Sequence, residues 1–425
     1  MRRQARRWLT QSSYALQEIA FLVERLVRRP RSAAARQDGR RHILIVDDLL
    51  PDPVFGAGYP RAFAIVRSLV AAGNVVEHYP MAATQSECDR MDAAFGGAVR
   101  FHPGRGAHGL RRLLWREGSR FDVLFISRPA PMAAMLAAHW RPNGQHVPIV
   151  YDAEAVLAPR DQRRLALLGT PWSGSQYQAA LAAELDLART AQAVTAVGQG
   201  DADLIRSVLD VPVFVLPHAV DVREAVPGPA GREDLLFVGR LTGLAAHSPN
   251  VDSLLWFITE VMPQLDRMLG TSYKLHVSGR LDAAELAALA SDRILFHGVV
   301  EDLQPLYEQC RLFVAPTRYA AGIPLKVLEA MGEGIPCVAT PLLAAQLGAD
   351  ATTLATGTDA ETFAAQCARL YRDDAAWLDA QAAGFVYVEG RGSPEAFDRT
   401  LASLIDHVER IPDAGAEVVR GGQAM

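Results

Sequence analysis

From residue 42 onward the chain alternates short apolar runs with amphipathic stretches, and that alternation limits the possible folds more than any other feature. HILIVDD (42–48), VVEHY (75–79), VLFIS (123–127), PIVYD (148–152), AQAVTAV (191–197) and VFVL (213–216) read as strands, with a helix over 61–72 after the first. A stretch rich in Gly and Pro, about 223–233, interrupts the pattern. It restarts with LLFVG (235–239), KLHVSG (274–279), ILFHG (294–298), LFVAP (312–316) and CVAT (337–340). Strands that are apolar nearly throughout are buried on both faces, and helices between them impose parallel pairing. The expectation is an α/β chain of two Rossmann-like parallel-sheet domains, residues 42–222 and 232–394, facing each other across a cleft. Such sheets bind ligands beyond the carboxyl ends of their strands.

A length of 425 residues with 50% hydrophobic and 21% charged residues is ordinary globular composition. The net charge of −5 argues against a general nucleic-acid binder. Cys88, Cys310, Cys337 and Cys367 are scattered, which suits a reducing cytoplasm and gives no structural zinc spacing. No run approaches about 18 uninterrupted apolar residues, the length needed to span a bilayer. Charge is uneven, however. Residues 1–41 hold 11 arginines against Glu18, Glu24 and Asp38, a surplus of eight, so the remainder carries −13. Residues 1–41 therefore read as a separate basic appendage.

Within that appendage, Trp8, Leu9, Ala15, Leu16, Ile19, Leu22, Val23, Leu26 and Val27 share one helical face. Arg7, Arg25, Arg28 and Arg29 occupy the other, and Pro30 ends the helix. Residues 1–30 suit peripheral contact with an anionic membrane surface; docking on the chain's own acidic body or on a partner's helix fits the pattern equally.

The most informative segment is FVAPTRYAAGIPLKVLEAMGEGIPCVAT (313–340). The chain has only two lysines, Lys274 and Lys326, and one of them stands here. The segment reads as a strand, a loop (316–324), a helix over 325–331 and a turn into a second strand. A glycine loop followed by a lysine in the first helical turn can hold an anion through backbone N–H groups, the helix dipole and a point charge. Glu329 lies one turn later and can accept sugar hydroxyls; the plain alternative is a solvated Lys–Glu pair.

The segment resembles the donor site of GT-B fold, family-4 retaining glycosyltransferases, whose signature is Glu-x7-Glu over a Gly-x-Pro loop. Glu329 matches the second glutamate, and Gly322, Ile323 and Pro324 match the loop; the first glutamate is replaced by Ala321. LLFVGR (235–240), PNVDSLLWFITEVMPQL (249–265), FHGVVEDLQPLY (296–307) and TFAAQCARLY (362–371) extend the resemblance over most of 42–400. It implies a metal-independent hexosyltransferase, without a cofactor, taking a nucleotide-diphosphate sugar as donor. A glycan or lipid-linked acceptor in bacterial surface polysaccharide assembly would be the partner, at the inner face of the cytoplasmic membrane. Residues 42–222 would then hold the acceptor and 232–394 the donor. A helix at 395–410 would return to the first domain ahead of a tail, 411–425. Lys326 and Arg240 would grip the diphosphate, with Gly322, Ile323, Pro324, Leu325, Glu329, Gly298 and Val299 around the donor. A lysine that many relatives carry shortly after the arginine is absent from LTGLAAH, so Lys326 would supply its charge.

Other motifs carry less. Gly56-Ala-Gly58 lacks the third glycine of a dinucleotide fingerprint, Arg61 standing in its place. It reads as a loop closing on donor or acceptor from the first domain, or as a plain loop. Asp152 and Glu154 follow a strand and read as acceptor-side carboxylates, or as partners of Arg160 or Arg163. Asp201 and Asp203 match Asp-x-Asp, but helix capping explains them better than metal binding. His218 and His247 read as structural. Two further functions stay open: a non-catalytic GT-B subunit that binds a glycan or a partner transferase, and a nucleotide-sugar epimerase of the same fold.

Overall fold

The computed structural model of the chain describes residues 39–53, 58–138 and 147–410. The basic segment up to residue 38, Gly56 and the tail from 411 lie outside the described residues. The first domain is built on seven parallel strands: β1 (His42–Asp47), β2 (Val75–Pro80), β3 (Val99–Phe101), β4 (Val123–Ser127), β5 (Ile149–Glu154), β6 (Ala193–Ala196) and β7 (Val213–Val215). Their order is β3-β2-β1-β4-β5-β6-β7. β3, the sequence VRF, is absent from the expected strands, because three residues with an exposed arginine at the centre leave no apolar run to read. Alternate side chains of β1 enter opposite cores. Leu44 and Val46 pack with Leu110, Leu114 and Ile205, while Ile43 and Ile45 pack with Ile65, Leu69 and Met91. A sheet buried on both faces is the reason its strands are apolar without alternation.

The second domain has six parallel strands: β8 (Glu233–Val238), β9 (Leu275–Ser278), β10 (Ile294–Gly298), β11 (Cys310–Ala315), β12 (Cys337–Ala339) and β13 (Ala355–Thr356). They are ordered β10-β9-β8-β11-β12-β13. Its longest apolar stretch, PNVDSLLWFITEVMPQL, is a helix with a fault in it. Pro249–Trp256 and Met262–Leu269 are α-helical, and Phe257–Val261 between them is a π-turn. Pro263 has no N–H to donate back along the helix, and a wider turn relieves its clash with the preceding carbonyls.

The helix Pro394–Glu409 crosses back to the first domain. Phe397, Leu401, Leu404, Ile405 and Val408 recur at helical spacing and are buried in the core that also holds Ile43, Val123 and Phe125. Each such side chain contributes about 1.5–3 kcal/mol by leaving water, so this helix is a firm strap between the two halves. Strand order reverses between β1 and β4 in the first sheet and between β8 and β11 in the second. The carboxyl ends of the two sheets face one another. A Cβ placed on Gly322, after β11, would lie 3.1 Å from Ala155 Cβ and 3.6 Å from Val197 Cγ2, which follow β5 and β6. The described loops at the carboxyl ends of the two sheets therefore line one cleft.

Candidate active site

The loop between β11 and the helix Leu325–Gly332 is pinned at three places. Arg318 pairs with Asp252 (Nε–Oδ2 2.9 Å), Tyr319 donates to the Ala245 carbonyl at 2.7 Å, and Gln346 Nε2 donates to the Ala320 carbonyl at 3.1 Å. Gly322 sits at φ +71°, a left-handed conformation that a side chain would strain, and its missing Cβ lets the loop press against Ala155. Ile323 projects beside Gly198 of the first domain. Pro324 precedes the helix and Leu325 is its first residue, so the chain turns sharply enough to set Lys326 in the first turn.

Lys326 is half-buried above the Phe237 ring, with Nζ 4.7 Å from the ring centroid. Nζ donates to Asn250 Oδ1 at 2.9 Å. Asn250 Nδ2 donates in turn to the Arg240 carbonyl at 3.2 Å. One amide side chain thus ties the lysine to the arginine at the end of β8, directly at the point where strand order reverses. The Arg240 side chain is exposed. Among the described residues, no carboxylate lies within 4.0 Å of either cation. Burial in apolar surroundings pulls the Lys326 ammonium down to about 8. Lys326, without a counter-charge, and the exposed Arg240 that follows β8 could together hold an anion with several oxygens, such as a diphosphate.

Glu329 follows on the same helix without pairing with Lys326, which excludes the solvated Lys–Glu pair. Burial, with Glu333 nearby, raises its carboxyl to about 7. Among the described residues its carboxylate has no hydrogen-bond donor holding it as an ion, which leaves it able to accept from hydroxyl donors. Replacing Glu329 with glutamine is expected to weaken donor binding about ten- to a hundredfold, since a bond to a charged acceptor is worth ~1.5–3 kcal/mol. The carboxylate must ionise and the ammonium must stay charged. Donor affinity should therefore rise as pH passes about 7 and fall as it passes about 8. Calorimetry across pH 6–9 checks this: the acid limb should vanish in the Glu329→Gln protein, and its persistence would assign that limb elsewhere. Gly298 ends β10 with its carbonyl held by Gly279 N at 2.7 Å, and Val299 beside it is 66% exposed on the cleft rim.

The first domain departs from expectation at its carboxylates. Asp152 does not reach into the cleft: it is 3% exposed and fully engaged inside the domain. Arg61 Nη1 lies 2.8 Å from Oδ2, Thr195 Oγ1 donates to Oδ1 at 2.6 Å, and Ser127 Oγ donates to Oδ2 at 3.3 Å. Burial pushes the Asp152 carboxyl up, but Arg61 and these donors outweigh it and hold it below its ordinary value. Neither Arg160 nor Arg163 is the partner of these carboxylates; Arg160 binds Asp161. Glu154 does face the cleft, 24% exposed, and pairs with Arg128 at 2.8 Å. Gly58 caps the helix Tyr59–Ala71, and a Cβ there would sit 1.5 Å from Glu154 Oε1. Only glycine leaves room for that carboxylate.

Asp201 accepts from the Val156 amide at 3.3 Å, whereas Asp203 engages Gln199 and Arg206, so the two carboxylates serve different partners. His218 is buried, and burial drives its imidazole down to about 3, keeping it neutral. His247 is exposed, with Nδ1 3.5 Å from Arg164 Nη1 across the cleft. Asn250, Asp47 and Arg128 are absent from the sequence-level candidates. Asn250 was legible only as part of a Ser-Pro-Asn helix start, and Asp47 as a carboxylate ending the first strand.

Residues 232–373 match the family described as Glycosyl transferases group 1. A lipopolysaccharide core biosynthesis mannosyltransferase, LpcC, of Rhizobium leguminosarum bv. viciae is 31% identical over 177 residues. That match covers 37% of this chain and 47% of the relative, so the chain spans about half the length of the curated relative it matches. The fold is similar to HepE of Anabaena, solved with UDP and glucose (TM-score 0.64, 14% identity, 86% of this chain and 100% of that one). It is also similar to a glycosyltransferase from Rickettsia africae (TM-score 0.64, 12% identity, 88% and 99%). A third is the sucrose-phosphate synthase of Thermosynechococcus elongatus (TM-score 0.64, 15% identity, 87% and 99%).

Proposed function

We propose that this chain, a GT-B protein whose residues 232–373 form a group 1 glycosyltransferase domain, is a retaining transferase for a nucleotide-diphosphate sugar. The observation that carries the reading is the Lys326–Asn250–Arg240 arrangement at the switch point of the second sheet. Lys326 and Arg240 hold the diphosphate, and Glu329 accepts hydroxyls of the nucleoside. Charge grows on the diphosphate as the sugar leaves, and the preorganised cations stabilise it in that moment. The acceptor attacks from the face the diphosphate vacates, and a diphosphate oxygen takes its proton. The protein supplies positioning more than a nucleophile.

The UDP and glucose bound to HepE and the core-biosynthesis role of LpcC favour a nucleotide-sugar donor and a bacterial surface glycan acceptor. Among the described residues no helix is long and apolar enough to cross a membrane. In this reading the basic N-terminal segment brings a lipid-linked acceptor to the cleft. Ala321 favours one rival, a non-catalytic subunit, because the glutamate of the resembling signature is missing there. Incubation with UDP-, GDP- and dTDP-sugars, with and without EDTA, decides between them. The expected result is nucleoside diphosphate release from one donor class, undiminished by EDTA. Binding without release supports the subunit; loss in EDTA restored by manganese returns Asp201 and Asp203 to consideration as ligands.

A further inference from the structure

The carboxyl ends of β1, β4 and β5 carry a second charged cluster that the donor chemistry does not use. Asp47 ends β1 and is 1% exposed. Its Oδ1 contacts Arg128 Nη1 and accepts from the Asp48 amide at 2.6 Å, and its Oδ2 has no hydrogen-bond partner among the described residues. Arg128, just after β4, spans from Asp47 to Glu154 and stacks on Tyr59 at 4.3 Å. Both Arg128 (φ 73°) and Glu154 (φ 57°) hold left-handed conformations, which cost non-glycine residues of order 1–3 kcal/mol each. At Glu154 the β5–β6 register also slips, turning its side chain toward the cleft. Strain at two bonded residues, beside a buried oxygen without a partner, is the pattern of a binding site rather than of a structural ion pair.

The charge count decides what would bind. One guanidinium lies among three carboxylates, Asp47, Asp48 and Glu154, so the cluster is acidic at and above neutral pH and repels phosphates. Carboxylate oxygens accept and guanidinium N–H groups donate, which matches adjacent sugar hydroxyls, each of them donor and acceptor. Resting on the transferase reading above, we propose that Arg128 and Glu154 hold an uncharged sugar ring of the acceptor through adjacent hydroxyls, with Asp47 as the positioning residue behind Arg128. Any phosphate of the acceptor lies away from this wall.

Asp47 also gives the site a pH signature. Burial raises its carboxyl to about 7, against the pull of Arg128; Asp48, Glu154 and Tyr59 also face this cluster, and Asp152 (paired with Arg61) and the buried His78 lie within electrostatic reach of Arg128. Below about 7 Asp47 takes a proton, Arg128 is held less firmly, and acceptor affinity should fall.

The test uses full-length protein with the nucleoside diphosphate selected by the donor panel. Saturation-transfer NMR measures binding of uncharged aryl glucoside, galactoside, mannoside and N-acetylglucosaminide, and of the corresponding sugar 1-phosphates. At least one neutral glycoside should bind, and more tightly than its 1-phosphate. Glu154→Gln and Arg128→Lys should each weaken it about ten- to a hundredfold with nucleotide affinity unchanged. Asp47→Asn should remove the pH dependence near 7. The proposal is overturned if no glycoside binds wild-type protein, if the phosphates bind better, or if the Glu154 and Arg128 variants bind as wild type. Loss of nucleotide binding in wild-type protein would fail the donor reading instead, and melting curves separate misfolded variants from informative ones.

Discussion

Replacing Lys326 with methionine is expected to lower turnover about a hundred- to a thousandfold without lowering the melting temperature. One preorganised group facing developing charge is worth ~3–4 kcal/mol in the transition state. The stability side has the opposite sign. Lys326 titrates near 8 in the folded chain instead of 10.5, so below pH 8 the fold carries a charge that the unfolded chain solvates more easily. That cost is present in full at pH 7 and fades as pH rises from about 8 to 10.5. Removing the charge should therefore stabilise the protein at neutral pH by roughly 1–3 kcal/mol, less whatever the Asn250 bond contributes. Arg240→Ala should reduce the same kinetic step, and the double variant should lose less than the product of the two, since both cations are proposed to act on one diphosphate. Near-wild-type turnover in the methionine variant would remove Lys326 from the site.

Asp152 should behave in the reverse way. Truncating it to alanine leaves the Arg61 guanidinium buried at 2% exposure without its counter-charge, a change that typically costs 3–5 kcal/mol. Against the total of roughly 5–15 kcal/mol for a folded domain, that loss is severe, and urea titration should show it directly. Replacing Arg61 and Asp152 together with leucine should recover much of the loss, because no charge is then stranded. The Asp152 carboxyl is held below 3.8, so its stabilisation should persist down to about pH 4 and disappear only in stronger acid. A stable Asp152→Ala protein with poor acceptor affinity would contradict the assignment and restore the residue to the cleft.

The carboxylates at 152 and 154 show where reading by position stops. Both follow one strand, two residues apart, and alternation along a regular strand would point them the same way. A register slip breaks that symmetry, turning one into the core against Arg61 and the other outward against Arg128. The choice of partner could not be read either. Arg160 and Arg163 are nearer in sequence, but Arg128 is brought in by β4, the neighbour of β5, and Arg61 by the helix Tyr59–Ala71 that follows β1. The same limit hid Asn250, 76 residues from Lys326 and 10 from Arg240, whose role exists only once β8 and β11 are neighbours.

The sequence by itself determined the two parallel sheets, the cleft between them and the glycine loop that sets Lys326 in a first helical turn. Those properties follow from local facts: apolar runs of strand length, the helices spaced between them, a glycine that can turn left-handed, and a lysine in a first helical turn. Only the tertiary structure decided which charges are paired and which are left open. Pairing depends on which strands lie side by side, and burial sets whether a carboxyl such as Asp152 is locked as an ion or, like Glu329 and Asp47, is left to titrate near neutral pH.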